Sequence, residues 1–285
     1  MAVPGETYYY REVIECARAA AQGLGARLTL GVSAYAEERP QVERLLSDGV
    51  EGLLLTPSPH TPWAPPRLRR GSGLPVPVVL MERRPEPVAD LEHLDRVASD
   101  HARGTVRALR YLVGLGHRRI GLLACATATG PWIDRGFDTA ADILSLPADA
   151  PRVTDVASLD VAAVEAFLDA AVATGTTAVV AHPDDQGALL VHRARMRGLV
   201  VPDDLAVIAY DDELASLAEI PLSAVAPMRY AVGRIAVTRL VQRLREGNGH
   251  GWSTSRADPP RRPGPSPAGS TARVTDCRNR DAGER

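Results

Sequence analysis

The sequence predicts an α/β fold, with parallel sheets carrying helices on both faces. Three observations carry that reading. Short, continuous apolar runs rich in β-branched residues recur at 28–32, 52–56, 76–81, 120–124, 177–181 and 205–210, as strands buried on both faces require. Helical periodicity falls between most of them, at 9–22, 41–46, 103–115, 161–172, 185–196 and 229–244, and this βα alternation is the signature of parallel sheets. Finally, 285 residues at 45% hydrophobic content can bury a large core, in one two-lobed domain or two small ones.

The elements read in order as follows. Gly49-Val50-Glu51-Gly52 leads into the apolar run Leu53-Leu54-Leu55, and Pro77-Val78-Val79-Leu80-Met81 forms the next, closed by Glu82 and Arg83. The helix over 103–115 stops at Gly116, and the basic pair Arg118-Arg119 near its carboxyl end, where cations are favoured, feeds the strand at Ile120. Gly198 followed by Pro202 is a helix stop, which leaves 205–210 as a strand with Asp211 and Asp212 at its carboxyl end. In open α/β sheets ligands bind beyond the carboxyl ends of strands, so polar residues there can reach a ligand.

Composition excludes several classes. A formal charge of −2 removes the usual electrostatic warrant for a chain that grips nucleic acid by itself, since phosphate binding needs a basic face. Cys16, Cys125 and Cys277 are odd in number and widely spaced, fitting a reducing cytoplasm rather than a disulfide framework or zinc site. The first residues have no basic start and no apolar run, so no secretory signal is expected, and no stretch reaches membrane-span length. Without a single lysine there is no phosphate-loop Gly-Lys-Ser/Thr, and Gly23-Leu24-Gly25 lacks the third glycine of a dinucleotide fingerprint. No Gly-x-Ser-x-Gly elbow occurs, and the histidines show no metal spacing. Neither an enzyme nor a cofactor is expected.

Two blocks carry a family resemblance. One runs from Gly198 through Val201-Pro202-Asp203-Asp204 and Val207-Ile208-Ala209-Tyr210-Asp211-Asp212, then Ile220-Pro221-Leu222-Ser223, then Tyr230-Ala231-Val232-Gly233-Arg234. The other is Asp100-His101-Ala102-Arg103-Gly104 followed by Leu112 and Gly116-His117-Arg118-Arg119-Ile120-Gly121. Together they resemble the effector-binding core of the lactose-repressor/galactose-repressor family of bacterial transcription regulators, over roughly residues 3 to 246. The resemblance implies a two-lobed periplasmic-binding-protein-like fold with interlobe crossovers. Residues 1–124 plus 227–246 would form the first lobe and 127–224 the second, with the chain crossing near Cys125 and Val225. It also implies a small-molecule, sugar-like effector in the interlobe cleft, a homodimer in the cytoplasm, and operator DNA reached only through an amino-terminal helix-turn-helix module, which is missing here. A transport-type sugar-binding protein of the same fold, or a non-functional truncated relative, is the alternative. Residues 247–285, rich in Pro, Arg, Gly and Ser, read as a disordered or aberrant tail: either a reading-frame change or a natural extension.

Candidate ligand-binding residues follow from strand-end position and from the resemblance. Asp211 leads, because an ionised carboxylate accepts several hydrogen bonds and suits adjacent sugar hydroxyls; Asp212 is read as a cap for a helix over 213–218. Asp184 is read as a ligand contact or as the cap of the helix from Asp185, with Pro183 standing where the family has an asparagine. His182 is read as structural. Trp132 and the Tyr8-Tyr9-Tyr10 run, with Tyr9 as the chosen contact, are candidates for an aromatic wall or for helix-to-sheet packing. Asp100 contacts ligand or caps the helix after it. Many family members have an effector-binding arginine three residues before the pair that is Gly136-Phe137 here, and this chain has Ile133 instead.

Overall fold

The computed structural model describes residues 1–4, 9–33, 38–57, 75–82, 94–156 and 158–246. The described residues divide into two compact units: Met1–Ser99 together with 228–246, and Asp100–Pro227.

The first unit is a parallel five-stranded sheet in the order β2-β1-β3-β4-β5, comprising β1 (Ala2–Pro4), β2 (Gly31–Ser33), β3 (Leu53–Leu55), β4 (Val78–Met81) and β5 (Asp95–Val97). Helices α1 (Tyr9–Gly23) and α7 (Arg229–Glu246) cover one face, and α2 (Glu38–Ser47) covers the other. Val13, Ala17, Val232, Ala236, Val237 and Leu240 bury their side chains with Leu54, Val79 and Met81. Gly233 is needed in that layer: a Cβ there would collide with the carbonyl of Val13 on α1. Edge strand β5 is held to α7 by Asp95, which accepts from Arg239 Nη2 at 3.2 Å and Arg243 Nε at 2.6 Å. The two guanidiniums hold the Asp95 carboxyl below its ordinary value, against the opposing effect of burial.

The second unit is another parallel five-stranded sheet, ordered β10-β9-β8-β6-β7: β6 (Ile120–Cys125), β7 (Arg152–Val156), β8 (Ala178–His182), β9 (Ala206–Tyr210) and β10 (Ser223–Val225). Helices α3 (His101–Gly114) and α4 (Gly130–Leu144) pack on one face, and α5 (Val161–Thr174) and α6 (Asp184–Met196) on the other. Strands β6, β8 and β9 are buried along their whole length, which is why they read as unbroken apolar runs. Gly136 lets α4 approach α3, since a Cβ at that position would strike the Ala102 backbone, and Ile133 is fully buried in the same layer.

The division differs from the expected one. Residues 100–124 belong to the second unit, because β6 pairs in register with both β8 and β7, and α3 packs on the same sheet. The chain therefore leaves the first unit at Ser99/Asp100 rather than after Ala124. The expected tail at 247–285 lies outside the described residues. No described helix is long and apolar enough to cross a membrane.

Candidate functional site

The carboxyl edge of the second sheet collects most of the predicted site. Because β6, β8 and β9 are parallel, the residues that follow them, Trp132 after β6, Asp184 after β8 and Asp211 after β9, emerge on one side of the unit. The amino end of α3 is on that side too, since the hydroxyl of Tyr210, the last residue of β9, donates to the His101 carbonyl at 3.1 Å.

A buried polar layer underlies this edge. Tyr210 is 1% exposed, and its oxygen also lies 3.2 Å from His101 Nδ1. The His182 ring meets the Tyr210 ring edge-on at 5.5 Å. Gly104 makes room for the tyrosine, as a Cβ there would lie 2.8 Å from its hydroxyl. Above the layer, the Asp211 side chain is 15% exposed, with Oδ2 3.5 Å from His182 Nε2. Asp211 and Asp212 have φ of +98° and +56°, a conformation that side-chain-bearing residues adopt at a cost of about 1–3 kcal/mol and that collects at ligand sites.

Burial pushes the His182 imidazole down to about 3, with the neighbouring His101 adding to the effect. The ring is therefore neutral at physiological pH, and its contact with Asp211 is a dipole-to-charge contact rather than an ion pair. The sign of the linkage is fixed: the unfolded chain takes a proton near the ordinary histidine value while the folded chain does not. The stability that His182 contributes is thus complete above about pH 6.5 and is lost as pH falls towards 3, at up to about 1.4 kcal/mol per pH unit. His182→Gln is expected to flatten that acid limb of the second unit's unfolding midpoint between about pH 4 and 6. Midpoints of wild type and variant that fall in parallel over this range would contradict the assignment.

Asp184 lies within the first turn of α6 rather than capping it. It is 3% exposed, and Oδ2 accepts from the backbone amides of Glu213 at 2.6 Å, Leu214 at 2.5 Å and Ala215 at 3.0 Å. It thereby fixes the turn after β9 and the short 3-10 helix Ala215–Leu217, a task expected of Asp212. Pro183 occupies the N-cap position of α6.

Asp100 caps α3, accepting from the Arg103 amide at 3.1 Å. Trp132 is half-buried in the first turn of α4, with the Arg135 guanidinium 5.0 Å from its ring centre, a cation–π arrangement. The loop before it is tied by Thr127 Oγ1, which accepts from the amides of Thr129 and Gly130.

Tyr9 lies in the first unit, and its hydroxyl is engaged there, donating to Glu82 Oε1 at 2.7 Å. The buried Glu82 also accepts from the Ser99 amide at 3.0 Å and the Ser99 hydroxyl at 2.9 Å. The Arg229 guanidinium stands 5.4 Å from the Tyr9 ring centre and donates to Glu12 at 2.9 Å. Tyr10 is buried against the sheet, the packing alternative, and Tyr8 lies outside the described residues. Sequence reasoning missed Tyr210, His101, Glu82 and Arg229. Their shared signal is a polar residue at the end of an otherwise apolar strand, or at the first turn of a helix facing one. Among the described residues no group of three or more His, Cys, Asp or Glu side chains could hold a metal ion.

Comparison with known proteins gives a consistent set. Residues 109–262 match the model of the periplasmic binding protein-like domain. An uncharacterized HTH-type transcriptional regulator in the aml 5' region of Streptomyces limosus is 31% identical over 249 residues, 82% of this chain and 68% of that protein. The HTH-type transcriptional repressor PurR of Vibrio atlanticus is 26% identical over 216 residues, covering 74% of this chain and 63% of its own length. Among solved structures, a complex of the transcriptional regulator CelR with cellobiose superposes with a TM-score of 0.70 at 26% identity, over 86% of this chain and 77% of CelR. The chain thus spans about two thirds of the length of these curated relatives.

Proposed function

From the premise that the chain belongs to the lactose-repressor/galactose-repressor family of transcription regulators and carries its periplasmic-binding-protein-like effector domain, we propose that it senses a small, hydroxyl-rich, sugar-like molecule at the carboxyl edge of its second sheet. The observation that carries this is Asp211: a partly exposed carboxylate at a strand end, held in a left-handed backbone conformation over a neutral His182. A carboxylate binds paired hydroxyls well, because it accepts several hydrogen bonds and those bonds are charge-assisted. Trp132, on the same edge, offers a flat ring for the apolar face of such a molecule. Asp100 and Asp184 frame the site through the helix and the turn that they hold.

In this reading the effector is bound and released unchanged, so the protein is a sensor rather than an enzyme. Occupancy is read out as a change in operator affinity, through a helix-turn-helix module of the kind that the names of the curated relatives record, in a cytoplasmic homodimer. Such coupling requires the effector to favour one conformation of the protein over another.

The test is thermal unfolding against sugars, including cellobiose, together with sugar phosphates, nucleosides and nucleobases. Binding to the native state alone raises stability by about 2.7 kcal/mol at a hundredfold excess over Kd. At least one sugar is expected to raise the midpoint, and Asp211→Asn is expected to weaken that response by about tenfold or more in half-saturating concentration. A response shifted equally in wild type and variant would remove Asp211 from the site, and a response to nucleobases alone would overturn the sugar-like class.

A further inference from the structure

The outer face of α3 carries a feature that effector sensing does not use. Residues 100–227 hold ten arginines against seventeen Asp and Glu, so the second unit is acidic. Within it, residues 101–133 contain no acid at all and five of those arginines: Arg103, Arg107, Arg110, Arg118 and Arg119. Arg119 pairs with Asp149 at 3.2 Å, and Arg118 donates to the carbonyls of Val113 and His117. The other three are exposed and form no ion pair among the described residues.

Their spacing of four and three residues places them in one stripe about 10 Å long on the helix surface. The opposite side of α3, with Thr105, Ala108, Leu109 and Leu112, is buried. One flank packs on α4 through Ala102 and Gly136. The flank turned away from Ala102 exposes Tyr111 at 36% and Leu115 at 61%. Like charges at this spacing destabilise a helix, and the neighbouring acids Asp134 and Asp138 are engaged by Arg152 instead.

We infer that this face of α3 is a docking surface for an acidic, amphipathic protein helix, one with carboxylates spaced three and four residues apart to meet Arg103, Arg107 and Arg110, and apolar side chains beside them to cover Tyr111 and Leu115. Guanidinium groups bind carboxylates in two-point fashion, and the exposed Tyr111 and Leu115 give such a helix an apolar anchor. A nucleic acid fits less well. Its phosphates would approach a unit with seven more acids than arginines, which repels an extended polyanion beyond the reach of the stripe.

The test uses the whole chain and two fluorescent probes: an alanine-based helical peptide with glutamates spaced four and three residues apart and leucines beside them, and a DNA duplex. Fluorescence anisotropy is expected to show salt-sensitive peptide binding. Arg103→Gln/Arg107→Gln/Arg110→Gln is expected to lose at least about tenfold in peptide affinity. Arg18→Gln/Arg27→Gln/Arg44→Gln, on exposed arginines of α1, α2 and the loop between α1 and β2, is expected to leave it unchanged. Surface substitutions of this kind keep the fold, which a cooperative melt verifies for each variant. Absence of peptide binding, an equal loss in both triple variants, or tighter binding of the duplex than of the peptide would overturn the inference.

Discussion

Asp184→Ala is expected to cost the second unit about 3 kcal/mol of stability and to release the turn that follows β9. The carboxylate is nearly fully buried and serves three backbone amides through one oxygen. Deleting it strands those donors, and the Ala215 amide, in a buried residue, cannot turn to water. A buried donor left unmade costs about 1–3 kcal/mol, and a bond to a charged acceptor is worth more than one between neutral groups. Asp184→Asn keeps an acceptor oxygen and loses only the charge, so it should fall about midway. Chemical denaturation gives the stabilities, and hydrogen exchange at 213–215 reports the turn directly. If Asp184→Ala unfolded within about 1 kcal/mol of wild type, the carboxylate would not be what holds the turn. Because Asp211 and Asp212 begin the same turn, the alanine variant is also expected to weaken effector binding without touching the effector.

Gly233→Val should be as damaging to the first unit, by about 3 kcal/mol. The helices α1 and α7 meet so closely that even a Cβ would strike the Val13 carbonyl and crowd the Ala17 amide. These are backbone atoms and cannot rotate aside as a long side chain would. The helices must separate, which exposes Val13, Ala17, Val232 and Ala236 together. Gly49→Val is the control: nothing lies near its Cβ position, but its φ of +76° leaves a strained backbone, so its cost should be smaller and local. Equal stabilities for Gly233→Val and wild type would show that the helix pair yields freely.

Much of this architecture was legible in the sequence because the central strands are buried on both faces. β6, β8 and β9 read as apolar runs, and their helices carry clear caps or stops, such as Asp160 before α5 and Gly198 after α6. What was not legible is short or interrupted. β5 and β10 are three residues each, and β7 is an edge strand with a mixed exposure pattern. α4 opens with Gly130-Pro131 and carries Gly136, which break the periodic signal that a helix search relies on. Sheet membership is not a local property either, so nothing within Ile120–Cys125 told which unit would claim it. At the candidate site, strand-end placement pointed to Asp211, and the structure puts its carboxylate just beyond β9, beside His182. The partners of Asp184 lie 29–31 residues away and meet it only because β8 and β9 pair in parallel.

The first unit is made from two stretches of chain separated by the whole of the second. Arg229 and Glu12, bonded in the native state, are 217 residues apart in sequence, and α7 supplies one side of the layer that buries Val13 and Ala17. The second unit is continuous from Asp100 to Pro227. On the ribosome the two are therefore expected to mature in the reverse of their sequence order: the interior unit has all its strands once Val225 has emerged, while the strands of the first unit wait for α7 with one face of their sheet covered by α1 alone. Closing so long a loop is less costly entropically once its intervening residues are already compact, so the interior unit, by folding first, brings the two ends of the outer one together. A chain halted before Arg229 would carry a finished second unit tethered to an apolar, unsealed sheet, the kind of surface that chaperones retain.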